Sequence, residues 1–228
     1  MINQNPQQPY VPDSSIGTSF SFGWKQLKKY FLYLFLVAII ISVLQIPSGV
    51  AHNIKHIVSP GAVMLQIFAF FYLLLLFPIF SYGADLIYLR AIRDEPLDLK
   101  EMFIGFKNYV NIILAHLLAT AIIVLGFIFL IIPGIIFACR LVFVPYLVMD
   151  RNLDAVKAVE KSWQMTAGHG WKIFGMGILS FFIIILGLIL LIIGVIPAAM
   201  WVGSAFASLY HSIDHKEKME LENGNGSQ

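Results

Sequence analysis

The sequence has one cysteine, few charges and no excess of charge of either sign. Because Cys139 is alone, an intrachain disulfide and a zinc site built on several cysteines are both excluded. Charged residues make up 12% of the 228 residues, against about 25% in an average soluble domain, and the formal net charge is +2. A disordered, highly charged chain and a nucleic-acid-binding surface both need more charge than this, so neither is expected.

Apolar residues are abundant instead. They account for 59% of the chain, and the mean hydropathy is +0.81. The remaining polar residues are too few to cover a globule in water, and the apolar ones are gathered in runs long enough for transmembrane helices. The composition therefore predicts an all-α integral membrane protein, with the lipid bilayer as its surroundings.

The first half of the chain contains two apolar segments. Residues 30–46 and 62–88 are each long enough to cross a bilayer once. We expect the second segment to cross with a tilt or with a bend at Pro78.

The second half contains two longer apolar segments, 110–149 and 173–212. Each is about twice as long as one crossing requires, so each must fold back on itself. We expect one reversal at Pro133–Gly134 and the other between Gly194 and Pro197, because proline interrupts helical hydrogen bonds and glycine tolerates a tight turn. Six transmembrane helices result, of which the last is the least hydrophobic.

The positive charges predict which way these helices point. Of the 15 lysines and arginines, 13 flank the predicted spans on the side of the N-terminus. Lys55 alone lies on the opposite side, and Arg140 lies within a span. Since loops rich in lysine and arginine stay in the cytoplasm, both termini are predicted to be cytoplasmic.

Short motifs recur along the chain at similar places in the predicted hairpins. A Gly-aromatic-Lys motif precedes three outward spans, as Gly23-Trp24-Lys25, Gly105-Phe106-Lys107 and Gly170-Trp171-Lys172. An offset of 64 relates Pro133, Tyr146 and Asp150 to Pro197, Tyr210 and Asp214, and an offset of 56 relates Asp94, Leu97 and Asp98 to Asp150, Leu153 and Asp154. We expect three parallel helical hairpins at about 20–93, 103–150 and 170–213, although convergence on a common hairpin design is the alternative.

Short amphipathic segments lie before the first span and between the hairpins. They are predicted to be interfacial helices, which connect the hairpins or bind anionic lipid or a protein partner in the membrane or cytoplasm. The predicted organisation is a disordered cytoplasmic tail at 1–14, a six-span membrane domain at 15–213 and a polar cytoplasmic tail at 214–228.

One stretch carries a family resemblance. The run LIIPGIIFACRLVFVPYLVMD, followed by AVKAVEKSW and GHGWK, resembles the core of bacterial six-span inner-membrane proteins of unknown function. The same group includes the membrane domain that precedes the catalytic domain of some glycerophosphodiester phosphodiesterases. The resemblance covers residues 15–213 and implies a multi-pass protein of the bacterial inner membrane. No catalytic residue of those enzymes has a counterpart here, so their activity is not expected.

Two charged residues within predicted spans are the first candidates for a site. Asp85 plus 56 is next to Arg140, so both charges are expected at one depth on neighbouring hairpins, close enough to pair. The pair either fixes one hairpin against the next or forms a polar site together with His116, whose helix also carries Thr120. Ser204 is the equivalent of Arg140 in the third hairpin.

The remaining chemistry is sparse. His52 and His56, like His211 and His215, have a spacing that suits two metal ligands, but neither pair has a third ligand nearby, so no metal or cofactor is expected. No motif for nucleophilic or phosphate chemistry occurs. We therefore expect a non-enzymatic scaffold or accessory module, with a transporter or lipid-handling protein that uses Asp85, Arg140 and His116 as the alternative.

Overall fold

The computed structural model describes residues 12–47, 59–189 and 194–225, and every regular element in these ranges is helical. In chain order, the elements are α1 (Ile16–Lys29), α2 (Phe31–Leu44), α3 (Pro60–Leu75), α4 (Phe77–Ile92), a 3₁₀ helix (Leu99–Asn108), α5 (Tyr109–Phe129), α6 (Ile131–Arg140), α7 (Val144–Asp150), α8 (Ala155–Met165), α9 (Gly170–Ile189) and α10 (Val195–Asn225).

The helices are interrupted twice in the first part of the chain, between α1 and α2 and between α3 and α4. Ser15 begins α1 with a capping box shared with Thr18, and α1 meets α2 at an angle of 98° next to Tyr30. Helix α3 ends before Leu76, and α4 begins with Pro78 in its first turn, where the missing N–H of proline is tolerated. The interruption thus lies close to Pro78, and Pro60–Ile92 still forms one candidate span.

The chain reverses between α5 and α6, earlier than the sequence predicts. Leu130 has an extended backbone, with φ −166° and ψ 155°, and it separates α5 from α6. Pro133 and Gly134 lie inside the first turns of α6, so the prediction that they form the turn is wrong. Since the first turn of a helix does not need the N–H of proline, the helix can begin before Pro133. A Cβ on Gly126 would lie 2.9 Å from the Cα of Gly134, and this contact requires the reversal.

Helices α9 and α10 show similar features. Pro197 is the third residue of α10, just as Pro133 is the third residue of α6. A Cβ on Gly187 would lie 2.6 Å from the carbonyl oxygen of Gly194, so α9 and α10 approach closely at their tip. Residues 190–193 lie outside the described residues. Helix α10 continues beyond the predicted membrane domain to Asn225.

Four to five helical segments are candidates for membrane spans in the part of the chain that the structure describes. Four are long and apolar enough alone: Pro60–Ile92, Leu99–Phe129, Ile131–Asp150 and Gly170–Ile189. The bent pair α1 and α2 is the fifth if it counts as one span. Helix α10 is not among them, because serines, glycine and histidine dilute its apolar residues.

The core lies between α4, α7 and α10. Almost every residue of α4 from Pro78 to Ile92 is buried, so this helix is surrounded by others. Leu89 of α4, Leu147 of α7 and Leu209 of α10 are completely buried. Large exposed apolar side chains lie on α3, α5 and α9, and these surfaces are suited to lipid.

Candidate functional site

Arg140 is the last residue of α6, and its backbone carbonyl is held by α8. The last carbonyls of a helix have no partner within it. The hydroxyl of Ser162 donates to the carbonyl oxygen of Arg140 at 2.7 Å, and that of Thr166 donates to the same oxygen at 3.3 Å. Ser162 also accepts from the backbone N–H of Phe143 at 3.3 Å. These bonds fix the connector helix α8 across the break between α6 and α7.

The guanidinium group of Arg140 is not part of an ion pair among the described residues. Its central carbon lies 5.6 Å from the ring centre of Trp163, a cation–π distance. Its Nη1 is buried and has no hydrogen-bond partner in that same part of the chain. The nearby hydroxyls of Ser162 and Thr166 donate to backbone carbonyls.

A groove of about 590 Å³ lies beside Arg140, between α6 and the beginning of α9. Its walls are mostly apolar. The residues that line it are Ile132, Ile135, Ile136, Cys139, Arg140, Gly168, Gly170, Trp171 and Phe174. Trp171 lies at the edge of the groove and is 87% exposed. Among the side chains of the lining, Arg140 is the sole ionised group.

Asp85 lies on α4, away from Arg140. It is half-buried and interacts electrostatically with Tyr82, Tyr88 and Tyr146. Between the described residues there is no ion pair that joins Asp85 to Arg140. The predicted pair is therefore not formed. Tyr146 of α7 lies near Asp85. Helix α6 ends at Arg140 and α7 begins at Val144, so Arg140 and Tyr146 belong to different helices.

His116 and Ser204 have separate surroundings. The ring of His116 on α5 packs edge-on against the ring of Tyr82, with centres 6.2 Å apart. His116 and Asp85 thus share Tyr82 as a neighbour. Ser204 on α10 is buried against α1, where a Cβ on Gly23 would lie 3.0 Å from its carbonyl carbon. Its hydroxyl has no hydrogen-bond partner within the described ranges.

The largest cluster of charges joins the ends of α4 and α7 to α10. Arg93 binds both carboxylate oxygens of Asp150, at 2.5 and 2.8 Å, and its Nη2 lies 3.4 Å from Asp214. The hydroxyl of Tyr210 donates to Asp150 at 3.1 Å. The Nε of Arg93 donates to Nδ1 of His211 at 3.5 Å.

Arg151 extends this cluster to α8. It donates to Asp214 at 2.9 and 2.5 Å and to Glu217 at 2.9 Å. Glu217 also binds Lys161 of α8, and Asp214 binds Lys218 at 2.8 Å. We call the seven residues Arg93, Asp150, Arg151, Lys161, Asp214, Glu217 and Lys218 the charge network.

The positive charges of the network favour the ionised form of its carboxylates Asp214 and Glu217. Burial raises the pKa of Asp214, but hydrogen bonds from Lys218 and Arg151 outweigh it and hold that pKa below its ordinary value. The pKa of Glu217 is likewise lowered, because bonds from Lys161 and Arg151 exceed the effect of burial. The two carboxylates accordingly stay charged at neutral pH.

The sequence contains a signal for part of this network. Asp150 and Asp214 are related by the offset of 64, and parallel hairpins bring such positions to the same end of the bundle. Asp94, related to Asp150 by the offset of 56, accepts bonds from Lys29 at 2.7 Å and from Tyr30 at 3.2 Å. The partners of these aspartates were missed, because they depend on which hairpins are neighbours.

The histidine pairs give no cluster of three metal-ligating residues in the part of the chain that the structure describes. The rings of His211 and His215 lie 6.3 Å apart. His52 and His56 lie outside the described residues. The predicted tail at 1–14 is mostly outside them too, but Ser14 is buried and accepts a bond from Lys172 at 3.4 Å.

Comparison with known proteins found one family. The Domain of unknown function (DUF7847) matches residues 100–212, just under half of the chain. The matched region begins in the 3₁₀ helix and ends in α10. It contains His116, Arg140 and Ser204, but it does not contain Asp85 or Tyr82. It lends no support to the expected resemblance to glycerophosphodiester phosphodiesterases.

The search of curated proteins found no match to this chain. The search of solved structures found none either.

Proposed function

We propose that the protein is a non-enzymatic scaffold or accessory module of a bacterial inner membrane, with six spans in three parallel hairpins and both termini in the cytoplasm. The observation that carries this proposal is the charge network. Arg93 ends the first predicted hairpin, Asp150 ends the second, and Asp214 follows the third. The contacts of Arg93 with Asp150 and Asp214 support an arrangement in which the three predicted hairpins end at one level.

The cost of charge in lipid supports a shared orientation. Charged side chains are expensive in hydrocarbon, so seven of them together favour a place at the polar edge of the bilayer. Lys29 at the start of the first hairpin also binds Asp94 at its end, so this hairpin begins and ends on the same side. The positive charges of the network favour the cytoplasmic side.

Two helices qualify only weakly as spans, and their packing offers an explanation. Helix α2 has 14 residues and follows α1, whose amphipathic sequence suits the membrane surface. Helix α10 contacts α1, α4 and α9 and buries its serines among them, so it needs fewer apolar residues than a helix exposed to lipid. Both are compatible with crossing the bilayer.

The state of the carboxylates supports a structural role. Asp150, Asp214 and Glu217 are each bound to at least one cation, and a paired carboxylate is a poor acid or base. The network instead gives α8 and the end of α10 a fixed cytoplasmic arrangement. We propose that this surface binds a protein partner.

A photo-crosslinking experiment in cells tests the scaffold proposal. A benzophenone amino acid at exposed Lys157 of α8 or Glu220 of α10 should crosslink to one defined protein, and the same group at lipid-exposed Phe181 should not. Asp150→Asn should weaken both cytoplasmic crosslinks while the protein still inserts in the membrane. Crosslinks that occur equally at all three positions, or that are unaffected by Asp150→Asn, would contradict the proposal.

Transport or lipid handling through Asp85 and His116 is the second candidate. It is favoured by one observation: Asp85 is half-buried with no ion-pair partner among the described residues, and it shares Tyr82 with His116. Under this alternative, Asp85→Asn abolishes the cellular function and leaves the crosslinks from Lys157 and Glu220 unchanged. Under the scaffold proposal, Asp85→Asn has little effect on either.

A further inference from the structure

The groove beside Arg140 combines a long apolar wall with one cation. Ile132, Ile136 and Arg140 follow one another at intervals of four residues on α6, so they lie on one face of that helix. The volume of about 590 Å³ is in the range of ligand-binding cavities. The cation lies at one end of the apolar face and the tip of the hairpin at the other.

The cation lacks an anionic partner within the described residues. Nη1 of Arg140 is buried and makes no hydrogen bond there, and Trp163 covers the guanidinium group without accepting a hydrogen bond from it. Buried polar groups in proteins are nearly always hydrogen-bonded. Arg140 lines the groove and has no ion-pair partner among the described residues, so its positive charge favours an anion in the groove.

The beginning of α9 adds to the attraction for an anion. Gly170 is the first residue of this helix and lines the groove, and the N–H groups of a first helical turn are unpaired and carry positive partial charge. A Cβ on Gly170 would have no atom within 4 Å, so the space beside the backbone is open. An anion at Arg140 can approach these N–H groups as well.

We propose that the groove binds one anionic phospholipid of the surrounding bilayer. The headgroup phosphate binds Arg140 next to the beginning of α9, and an acyl chain lies along Ile136, Ile132 and Phe174. The eight residue-to-residue steps from Arg140 to Ile132 span about 12 Å, close to half the thickness of the hydrocarbon core. Exposed Trp171 at the edge is a typical residue of the membrane interface. This lipid site goes beyond the scaffold function and does not depend on it.

Native mass spectrometry of the full chain in a neutral detergent tests the site. The probes are phosphatidylglycerol and phosphatidylcholine with identical acyl chains. We expect one phosphatidylglycerol to bind at least ten-fold more tightly than phosphatidylcholine. Arg140→Gln should remove this preference, whereas Lys107→Gln, which removes an exposed cation on another helix, should retain it.

Two further variants separate the headgroup from the chain. Ile136→Trp fills the groove without changing its charge and should weaken phosphatidylglycerol binding at least ten-fold. Arg140→Lys keeps the positive charge and should retain most of the preference for phosphatidylglycerol. If Arg140→Gln does not fold, Ile136→Trp and Arg140→Lys still test the site. Equal binding of the two lipids overturns the proposal. Phosphatidylglycerol binding that survives Ile136→Trp also overturns it, because the site would then bind a phosphate group without a lipid chain.

Discussion

Gly23, Gly105 and Gly170 occupy the same place in the Gly-aromatic-Lys motif but have different surroundings. A Cβ on Gly23 would lie 2.9 Å from the backbone nitrogen of Ala205, so α1 and α10 touch through their backbones. At Gly105 a Cβ would meet the side chain of Ile79 at 2.8 Å. At Gly170 it would meet nothing within 4 Å. The repeated glycine therefore has a packing role in the first two hairpins and none in the third.

The glycine positions lead to a paired prediction. Gly23→Ala forces α1 away from α10 and should lower the free energy of unfolding by about 2 kcal/mol, the usual cost of overpacking. Gly170→Ala should change it by less than about 1 kcal/mol. Unfolding of both variants in mixed micelles, monitored by tryptophan fluorescence, measures the difference. Equal losses would contradict the close contact of α1 with α10.

The Arg93–Asp150 pair leads to a second prediction at this scale. Both side chains are mostly buried, at 16% and 13% exposure, so Arg93→Gln leaves a carboxylate without its main partner. The expected loss is about 3 kcal/mol, and the double variant Arg93→Leu/Asp150→Leu should lose less than Arg93→Gln alone. Lys216→Gln, which breaks an exposed pair with Glu220, should leave the free energy of unfolding unchanged.

At the scale of the helices, proline was the most useful residue for prediction, but it did not mark the turns. Pro78, Pro133 and Pro197 all lie in the first turn of a helix. Each one therefore indicates that a helix begins just before it. The break between α6 and α7 could not be predicted from the apolar run, because hydrophobicity continues through residues 141–143 and the capping hydroxyls come from α8.

Those hydroxyls lead to a prediction about how α8 is held. Ser162→Ala removes a donor to the partly buried carbonyl of Arg140 and the buried acceptor for the N–H of Phe143, and should cost about 2 kcal/mol. Ser180 is a matched control, because it is also buried but donates within its own helix to Met176. Ser180→Ala should cost less than about 1 kcal/mol. The comparison uses the midpoint of thermal unfolding in detergent.

At the scale of the whole molecule, the sequence predicted which positions share a level but not which side chains meet. The offsets bring Asp150 and Asp214 to one end of the bundle, as the structure does. The predicted pair of Asp85 and Arg140 is not formed. A shared depth does not determine the direction of a side chain around its helix, and Arg140 points to Trp163 of α8.

The charge network predicts how stability depends on pH. Asp214 and Glu217 have lowered pKa values in the folded protein, so their pairs stabilise it fully above the unfolded pKa of about 4. This stabilisation is lost as the pH falls through the lowered folded values. The midpoint temperature of thermal unfolding should therefore fall when the pH is lowered below about 4. Asp214→Asn should flatten this drop, and Glu220→Gln, on the exposed side of α10, should leave it unchanged.

The last prediction concerns how the molecule lies in the membrane. If all three hairpins begin and end in the cytoplasm, their tips must face the opposite side, while the charge network remains inside. In a Cys139→Ser background, an impermeant thiol reagent should label Ser59→Cys and Leu130→Cys in intact cells, because both residues flank helix ends on the predicted outer side. The predicted outer Lys55, outside the described residues, should behave likewise.

The opposite labelling is expected for Lys25→Cys in α1 and Lys216→Cys in α10. Both positions are exposed on helices next to the network, so the reagent should reach them only after the cells are permeabilised. Labelling of Lys216→Cys in intact cells would place the network outside and contradict the topology. Different labelling of Ser59→Cys and Leu130→Cys would contradict the parallel hairpins even if the termini are correct, because two hairpins that start on one side must turn on the other.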